Sequence, residues 1–242
     1  MKKLQNNYLL FLTCCMTCFG GNLFSQIQEG KIIFERKTNL FKKFSDKGTQ
    51  DYIGEANKYK TEQFNLYFNE NASVFEVEES YDNKLTWATT QNSVTQDFTT
   101  NISKIKYSFY GTPILVKDTL LTRKWTITDN VRTICNFECM QAVYDVDDST
   151  RIYAWFTSAI TPNVGPETYC NLPGAILGLA LEDGSVTYFA KAVEEQKVDM
   201  ELYIPKFNDK KAKTRKDLIE SVKKDFKSEK NIDTYIKEVL LW

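Results

Sequence analysis

The stretch ETYCNLPGAILGLALEDGSVTYF, residues 167–189, joins a turn that contains proline and glycine to an aliphatic run and then to a sharp reversal. Pro173 fixes its own φ and lacks an N–H, and Gly174 relaxes the backbone, so the chain turns before it enters a strand. Asp183-Gly184 supplies the positive φ that a tight hairpin turn needs. We therefore interpret the stretch as a structural corner followed by two antiparallel strands, rather than as a binding loop.

Alternation of apolar and polar residues continues this β pattern over most of the chain. The segments TEQFNLYF (61–68) and KIKYSFY (104–110) place apolar side chains on one face only, which is typical of half-buried antiparallel strands. Short polar turns are predicted at residues 69–71, 128–130 and 147–150. Residues 38–60 and 82–103 show no clean period and are predicted as loops, the first with a helical piece. The sequence therefore predicts a mainly β fold, a meander of eight to ten strands.

The hydrophobic period changes to that of a helix near the C-terminus, from Lys213 onward. The residues in the two apolar stripes are Leu218, Ile219, Val222 and Phe226, then Ile232, Tyr235, Ile236, Val239 and Leu240. A partner-binding helix would show the same stripes as a helix that packs on its own sheet. We predict the second case: a basic amphipathic helical tail, residues 206–242, packed on a β-domain of residues 26–205.

The first 25 residues have the pattern of a secretory signal peptide. Two lysines precede an apolar run that ends in small residues, and the run is too short and too interrupted for a permanent membrane helix. Cleavage is expected after Ser25. A lipoprotein acylated at Cys15 or Cys18 is less well supported, because neither cysteine follows the small-residue pair that such processing needs. The sequence therefore predicts an exported protein.

Composition excludes several chemistries. The chain has no histidine, which removes Ser-His-Asp and Cys-His catalysis and imidazole metal sites. Its net charge is −1, with an acidic body and a basic tail, unlike a nucleic-acid binder. The acidic stretch at residues 145–148 lacks the glycine and glutamate that a calcium loop needs. We predict no metal, no cofactor and no nucleic-acid partner, while a carboxylate pair for glycan hydrolysis stays open.

Three cysteines follow the signal segment: Cys135, Cys139 and Cys170. Thiols four residues apart on one strand lie about 13 Å apart, which is too far for both to bind one ion. In an oxidising exported compartment, one disulfide and one remaining thiol are expected.

Several motifs occur in a fixed order between residues 112 and 181. TPILVKDTLLTRKWTI contains an aspartate and a tryptophan, ICNFECMQA follows, and IYAWFTSAITPNVGPETYCNLPGAILGL contains Ala-Trp-Phe, Gly-Pro and Leu-Pro-Gly. The order and spacing resemble the GLPGLI family, secreted proteins of Gram-negative bacteria. The matching positions are Asp118, Trp125, Phe137, Cys139, Ala142, Ala154, Trp155, Phe156, Gly165, Pro166, Asn171, Leu172, Pro173 and Gly174. Asn171 replaces the motif's first glycine and also tolerates positive φ, whereas Gln141 replaces a lysine of the family pattern.

The resemblance implies a fold and a cysteine pairing. The family's fold is similar to the bowl-like sheet attached to some peptide N-glycosidases and, distantly, to the half-barrels of lipoprotein carriers. We therefore expect a strongly curved antiparallel sheet, a bowl or half-barrel, with the C-terminal helices packed on it. Cys135 and Cys170 stand where the family pattern has no cysteine, which implies that they form a disulfide and leave Cys139 as the family thiol.

The family's biochemical function is unknown, its members are exported, and its genes often accompany TonB-dependent outer-membrane receptors. The resemblance therefore implies a non-enzymatic binding or accessory module in the periplasm or at the outer membrane. Its partner is expected to be such a receptor, or a small hydrophobic or glycan ligand. Two alternatives stay open: a carrier of a hydrophobic ligand in the concave face, and a carboxylate-based glycan-processing enzyme whose acids converge in one pocket with perturbed pKa values.

Overall fold

The computed structural model describes residues 26–78, 85–109 and 112–225, together with Ile232, Ile236 and Leu240. The predicted signal segment lies outside these residues, so export and cleavage after Ser25 stay predictions.

Eleven strands in this described part form one antiparallel sheet. The strands are β1 Gly30–Asn39, β2 Tyr59–Phe68, β3 Ala72–Val77, β4 Ser93–Asp97, β5 Ile102–Phe109, β6 Thr112–Thr119, β7 Thr126–Ile134, β8 Phe137–Asp147, β9 Thr150–Thr157, β10 Ala175–Leu181 and β11 Val186–Glu195. The helices are α1 Leu40–Lys43, α2 Lys47–Ile53, α3 Met200–Tyr203 and α4 Arg215–Asp225. The predicted mainly β fold is confirmed, whereas the predicted number of strands, eight to ten, is too low, because β4 lies in a segment that was predicted as a loop.

The sheet curls because of the short connection between β6 and β7. The spatial order is β6-β5-β4-β3-β2-β1-β11-β10-β9-β8-β7, so residues 120–125 join the two outermost strands. This connection reaches at most about 25 Å, whereas the ten strand spacings of a flat sheet cover about 48 Å. Only a strongly bent sheet brings its outer strands within that reach. The sheet nevertheless stays open, because β6 and β7 do not pair with each other.

The concave side of the sheet holds the main core. The rings of Phe64 on β2 and Phe75 on β3 stack with their centroids 4.9 Å apart, and Tyr188 of β11 packs against both at about 6 Å. The predicted inward residues of β2 and β5 that the structure describes are all buried: Phe64, Leu66, Phe68, Ile105 and Tyr107. The period-2 pattern therefore identified the buried face of both strands.

The C-terminal segment packs on the same core beside β6. Lys213 pairs with Val116 of β6 as a parallel bridge, and α4 follows directly. The stripe residues in contact with the core are Leu218, Ile219, Val222, Ile232, Ile236 and Leu240. The predicted packing of the tail on the sheet is therefore confirmed at the described positions.

The reversal predicted at residues 128–130 is wrong, because these residues form a bulge within β7. Ile127 and Val131, on either side of the bulge, still pair with β8, and the Gln141 side chain accepts hydrogen bonds from the side chains of Thr128 and Asn130 at 3.1 and 2.8 Å. The chain turns instead at Cys135-Asn136, with φ values of 49° and 66°. Such a two-residue turn requires positive φ, and a cysteine gives no signal for it.

The loop predicted at residues 82–103 is also wrong in part, since it contains β4 and the start of β5. Val94 and Gln96 of β4 point inward and are buried, and the strand pairs with both β3 and β5. Hydrogen bonds from two flanking strands stabilise an extended segment whose own side chains are mostly polar. The loop predicted at residues 38–60 does hold the expected helical piece, as α1 and α2. The reversals at residues 69–71, 147–150 and 183–184 are confirmed.

Truncation of Leu218 tests whether the tail belongs to the folded core. Leu218 is 3% exposed, so Leu218→Ala is expected to lower the free energy of unfolding by about 3 kcal/mol. Ile219 is only partly buried, and Ile219→Ala serves as the control with an expected loss of about 1 kcal/mol. Urea unfolding followed by circular dichroism measures both. Equal losses would show that α4 does not pack as described.

Candidate functional site

A cluster of buried charges lies inside the concave core. Arg36 of β1 lies between Glu62 of β2 and Glu167 of the segment that joins β9 to β10, residues 158–174, here called the motif loop. The distance from Arg36 Nε to Glu62 Oε2 is 3.1 Å, and from Arg36 Nη1 to Glu167 Oε1 it is 3.9 Å. Each of the three residues is at most 3% exposed. Buried charges of this kind persist only when they compensate one another.

Glu62 is surrounded by donors. Its Oε1 accepts hydrogen bonds from Thr89 Oγ1 at 2.9 Å and from Gln91 Nε2 at 3.0 Å, and Lys60 Nζ lies 3.2 Å away. Burial alone raises the pKa of Glu62, but the charge and hydrogen bonds of Arg36, with Gln91 and Lys60, outweigh burial and lower the pKa to about 2. Glu62 is therefore ionised at neutral pH.

Glu167, in contrast to Glu62, has a raised pKa and tends to keep its proton. Tyr188 Oη donates to its Oε1 at 2.7 Å, and Asn92 Nδ2 donates to its Oε2 at 3.1 Å. Complete burial raises the pKa of Glu167, and the charge of Arg36 only partly opposes this. The backbone of Glu167 has a φ of 55°, which a non-glycine residue seldom adopts. The carboxyl group of Glu167 thus attaches the motif loop to the charged cluster.

The connection between β6 and β7 holds the next residues of the motif loop. Arg123 donates to the carbonyl oxygen and the hydroxyl of Thr168 at 2.7 and 2.8 Å, and its guanidinium lies 3.9 Å from the ring centroid of Tyr169. Trp125 Nε1 donates to the carbonyl oxygen of Cys170 at 3.0 Å. The connection and the motif loop therefore fix each other on the concave side.

The glycine and proline motifs lie where the motif loop packs most closely. Gly165, Pro166 and Leu172 are buried. Gly174 has a φ of 128°, and a Cβ there would collide with the carbonyl oxygen of Thr157. Asn171 has a φ of 68°, consistent with its place at the position of a glycine. Each of these residues sets the path of the backbone, which supports the interpretation of the loop as a structural corner.

The other motif residues are distributed over the sheet and do not meet in one pocket. Ala142, Ala154 and Phe156 are buried core residues, and Phe137 lies partly buried beside the β7–β8 turn. Trp155 is half-buried 5.7 Å from the ring of Phe189, and Pro173 is exposed. Asp118 of β6 accepts a hydrogen bond at 3.0 Å from the backbone N–H of Arg215, where α4 begins.

The predicted disulfide between Cys135 and Cys170 does not form, and all three described cysteines are free. Cys135 Sγ donates to the carbonyl oxygen of Ala190 on β11 at 3.2 Å, whereas Cys170 Sγ lies 3.8 Å from Gln96 Nε2 on β4. In the sheet, β1, β2 and β3 lie between β11 and β4. Cys139 is buried, and desolvation raises the pKa of its thiol to about 11.

A cleft of about 340 Å³ opens at the rim beside the motif loop. The residues that line this rim cleft are Glu70, Phe98, Leu120, Thr161, Pro162, Asn163, Cys170 and Asn171. Neither Glu62 nor Glu167 reaches it. In the described ranges, no group of three or more cysteine and acidic side chains is arranged to hold a metal ion.

The charged cluster was not predicted from the sequence, although the sequence contains a signal for it. Glu62 occupies the same alternating face of β2 as Phe64 and Leu66, and Arg36 occupies the same face of β1 as Phe34. A charge at an inward position of an otherwise apolar face requires a buried partner. Glu167 gave no such signal, because it lies outside any periodic segment.

Fold and site together define a class of protein: an open, curled antiparallel sheet whose concave side is filled by a charged core and by its own motif loop. Residues 144–178 match the model of a family described as a protein of unknown function (Porph_ging). No protein with a curated description matches the chain. None of the helices in the described residues has the length and apolarity needed to cross a membrane.

Two crystal forms of PNGF-II share the fold. The structure in space group P21 gives a TM-score of 0.52 at 14% identity, covering 75% of this chain and 31% of that one. The structure in space group C2 gives a TM-score of 0.51 at 16% identity, covering 74% of this chain and 30% of that one. The chain therefore corresponds to less than a third of PNGF-II, and at this identity the likeness concerns the fold alone.

The two acids are expected to affect stability with opposite pH dependence. The folded pKa of Glu62 lies below its ordinary value of 4.5, so its contribution of about 3 kcal/mol is complete above that value and is lost as the pH falls toward 2. Glu62→Gln is expected to lose the part of the acid-induced fall in stability that is due to this carboxyl group. The variant is also expected to be destabilised at pH 7, since Arg36 and Lys60 lose a buried counter-charge.

Glu167→Gln is the matched control. Because the pKa of Glu167 is raised, the folded protein keeps this proton at pH values where the unfolded chain has released it, so stability falls as the pH rises above 4.5. The variant is expected to lose little stability at pH 7 and to depend less on pH in that range. Denaturant midpoints between pH 2.5 and 8 measure both variants. A Glu62→Gln protein as stable as wild type at pH 7 would contradict the role of the cluster.

Substitution at Gly174 tests the packing of the motif loop. Gly174→Ala is expected to cost at least ~3 kcal/mol, because it combines an unfavourable φ with a backbone collision. Gly184 also has positive φ but has open space around it, so Gly184→Ala is expected to cost only about 1 kcal/mol. Guanidinium unfolding compares the two variants, and similar losses would show that the close approach at Gly174 is unimportant.

Proposed function

We propose that this chain is an exported, non-enzymatic binding module that acts as an accessory to an outer-membrane receptor or secretion system. One observation carries the proposal: the acids that converge, Glu62 and Glu167, are at most 2% exposed and face Arg36. A catalytic acid pair must meet its substrate. These carboxyl groups instead attach β2 and the motif loop to the core, which favours a structural role over glycan hydrolysis.

The filled concave side favours a binding module over a carrier. Aromatic side chains such as Phe64 and Tyr188 occupy its floor, and Arg123 and Tyr169 lie above the sheet in contact with each other. A hydrophobic ligand would have to displace the motif loop, together with its hydrogen bonds to Arg123 and Trp125. Such displacement would also break the contacts of Glu167 with Tyr188, Asn92 and Arg36, at a cost in free energy.

The rim cleft is the binding site of this proposal. Polar side chains at Glu70, Asn163 and Asn171 alternate there with apolar ones at Phe98 and Leu120. A small cleft of mixed character suits a short protruding segment of a partner protein, which it would orient through a few polar contacts. Five of the eight lining residues belong to the motif loop, so the loop forms one wall of the cleft in addition to its role as a structural corner, and its anchors also hold the cleft in shape.

Membership of the GLPGLI family is part of the same proposal. The matched residues 144–178 lie within the region 112–181 whose motifs resemble that family. The association with a receptor comes from this resemblance, and the rim cleft is where the association would take place.

A capture experiment tests this function. Residues 26–242 are immobilised, exposed to cross-linked cell envelopes and analysed by mass spectrometry beside Thr161→Trp, which fills the rim cleft, and Asp148→Trp, which adds equal bulk on the exposed β8–β9 turn. We expect an outer-membrane receptor enriched at least tenfold by wild type and Asp148→Trp, and lost with Thr161→Trp.

Other experimental outcomes would support a different function. Recovery of lipid without a receptor would support the carrier. Turnover of a glycan that Glu167→Gln abolishes while the unfolding midpoint stays unchanged would support the enzyme. Equal receptor capture by Thr161→Trp would move the binding surface away from the rim cleft.

A further inference from the structure

A group of aromatic rings lies exposed beside the segment that joins β1 to β2. Trp87, in the turn before β4, is 52% exposed, and Tyr52 of α2 is 75% exposed. The indole centroid lies 5.3 Å from the ring of Phe44 and 6.1 Å from that of Tyr52, and both neighbouring rings are tilted by 47°. The three residues are here called the aromatic platform.

The platform is held by buried contacts beneath it. Ala88, next to the indole, is fully buried in a small hydrophobic cluster with residues of α1 and α2. Gln50 Nε2 donates to the carbonyl oxygen of Phe44 at 2.8 Å, and Lys60 Nζ donates to that of Leu85 at 3.0 Å. These contacts fix the backbone that carries Phe44 and Trp87, which lowers the conformational entropy lost when a ligand binds the rings.

The size of the platform argues against a protein partner or a second copy of this chain. The exposed parts of Trp87 and Tyr52 amount to about 300 Å², whereas a stable protein interface needs about 800 Å² from each partner. A single platform of this area suits a ligand of one or a few rings.

The charges around the platform argue against a membrane surface. Residues 40–58 contain four lysines and three acids, whereas binding to anionic lipid depends on a cluster of basic residues. Lys47, Asp51 and Glu55 are exposed on this segment. These side chains offer both hydrogen-bond donors and hydrogen-bond acceptors, and together they carry little net charge.

We propose that the aromatic platform binds a neutral carbohydrate chain, at a site separate from the rim cleft. One face of a pyranose ring presents only C–H groups, and this face would lie on the indole of Trp87. The tilted rings of Phe44 and Tyr52 would contact the adjoining sugars. The hydroxyl groups at the sugar's edge would remain in water or bond to the exposed polar side chains of α2.

Affinity electrophoresis in gels that contain dextran, laminarin or xylan tests the proposal with residues 26–242. We expect at least one polysaccharide to retard wild type, and Trp87→Ala and Tyr52→Ala to weaken apparent affinity at least tenfold. Tyr59→Ala is the matched control, because Tyr59 is 51% exposed but lies against Lys37, outside the platform. The rim-cleft variant Thr161→Trp is expected to bind polysaccharide normally, so this test is independent of the proposed function.

A second variant distinguishes loss of binding from loss of folding. Trp87→Phe keeps an aromatic ring, so it should retain retardation while losing the fluorescence change that the polysaccharide causes in the exposed indole. Absence of retardation in all three gels would overturn the proposal, as would retardation that Trp87→Ala and Tyr52→Ala leave unchanged. Trp87-dependent binding to phosphatidylglycerol vesicles, or Trp87-dependent dimerisation, without binding to polysaccharide would instead assign the platform to a membrane or to a second copy.

Discussion

The short connection between β6 and β7 is the constraint on which the rest of the structure depends. Because it joins the two outermost strands of an eleven-stranded sheet, a flat arrangement is impossible and one face becomes concave. The connection then lies where Arg123 and Trp125 meet three consecutive residues of the motif loop. Curvature, loop position and the rim cleft therefore share one cause: a distance that the chain cannot exceed.

The charged cluster determines which arrangement of the concave side is stable. Burying Arg36, Glu62 and Glu167 adds little net stability compared with an apolar core of the same volume. An incorrect position of the motif loop, however, would leave a buried charge without its partner. The cluster thus discriminates strongly between correct and incorrect positions of the loop while contributing modestly to total stability. We propose a structural role for its acids for this reason, although a convergent pair with divided pKa values also occurs in catalytic sites.

Hydrophobic periodicity and turn-forming residues predicted those parts of the fold that depend on residues close together in the sequence. The alternation in β2 and β5 identified their buried faces, and the stripe through Leu218 and Val222 identified the packed helix. Features that depend on residues distant in the sequence could not be predicted. β4 is a strand because β3 and β5 form hydrogen bonds with it, and the turn at Cys135-Asn136 is imposed by its flanking strands. The expected Cys135–Cys170 disulfide failed because joint presence in a sequence says nothing about distance. Residues of the rim cleft come from four separate segments, so no local pattern unites them.

Both edges of the open sheet are protected, and in different ways. The segment at Lys213 pairs with β6, and on β7 the bulge at residues 128–130 interrupts the regular ladder. An uncovered, regular edge strand is a template for pairing with other chains. The bend that forms the concave side leaves the sheet open, and these two features disfavour pairing of its edges with other chains. Damage to the tail would therefore expose the β6 edge as well as remove Leu218 and Val222 from the core, so insolubility would accompany the loss of stability.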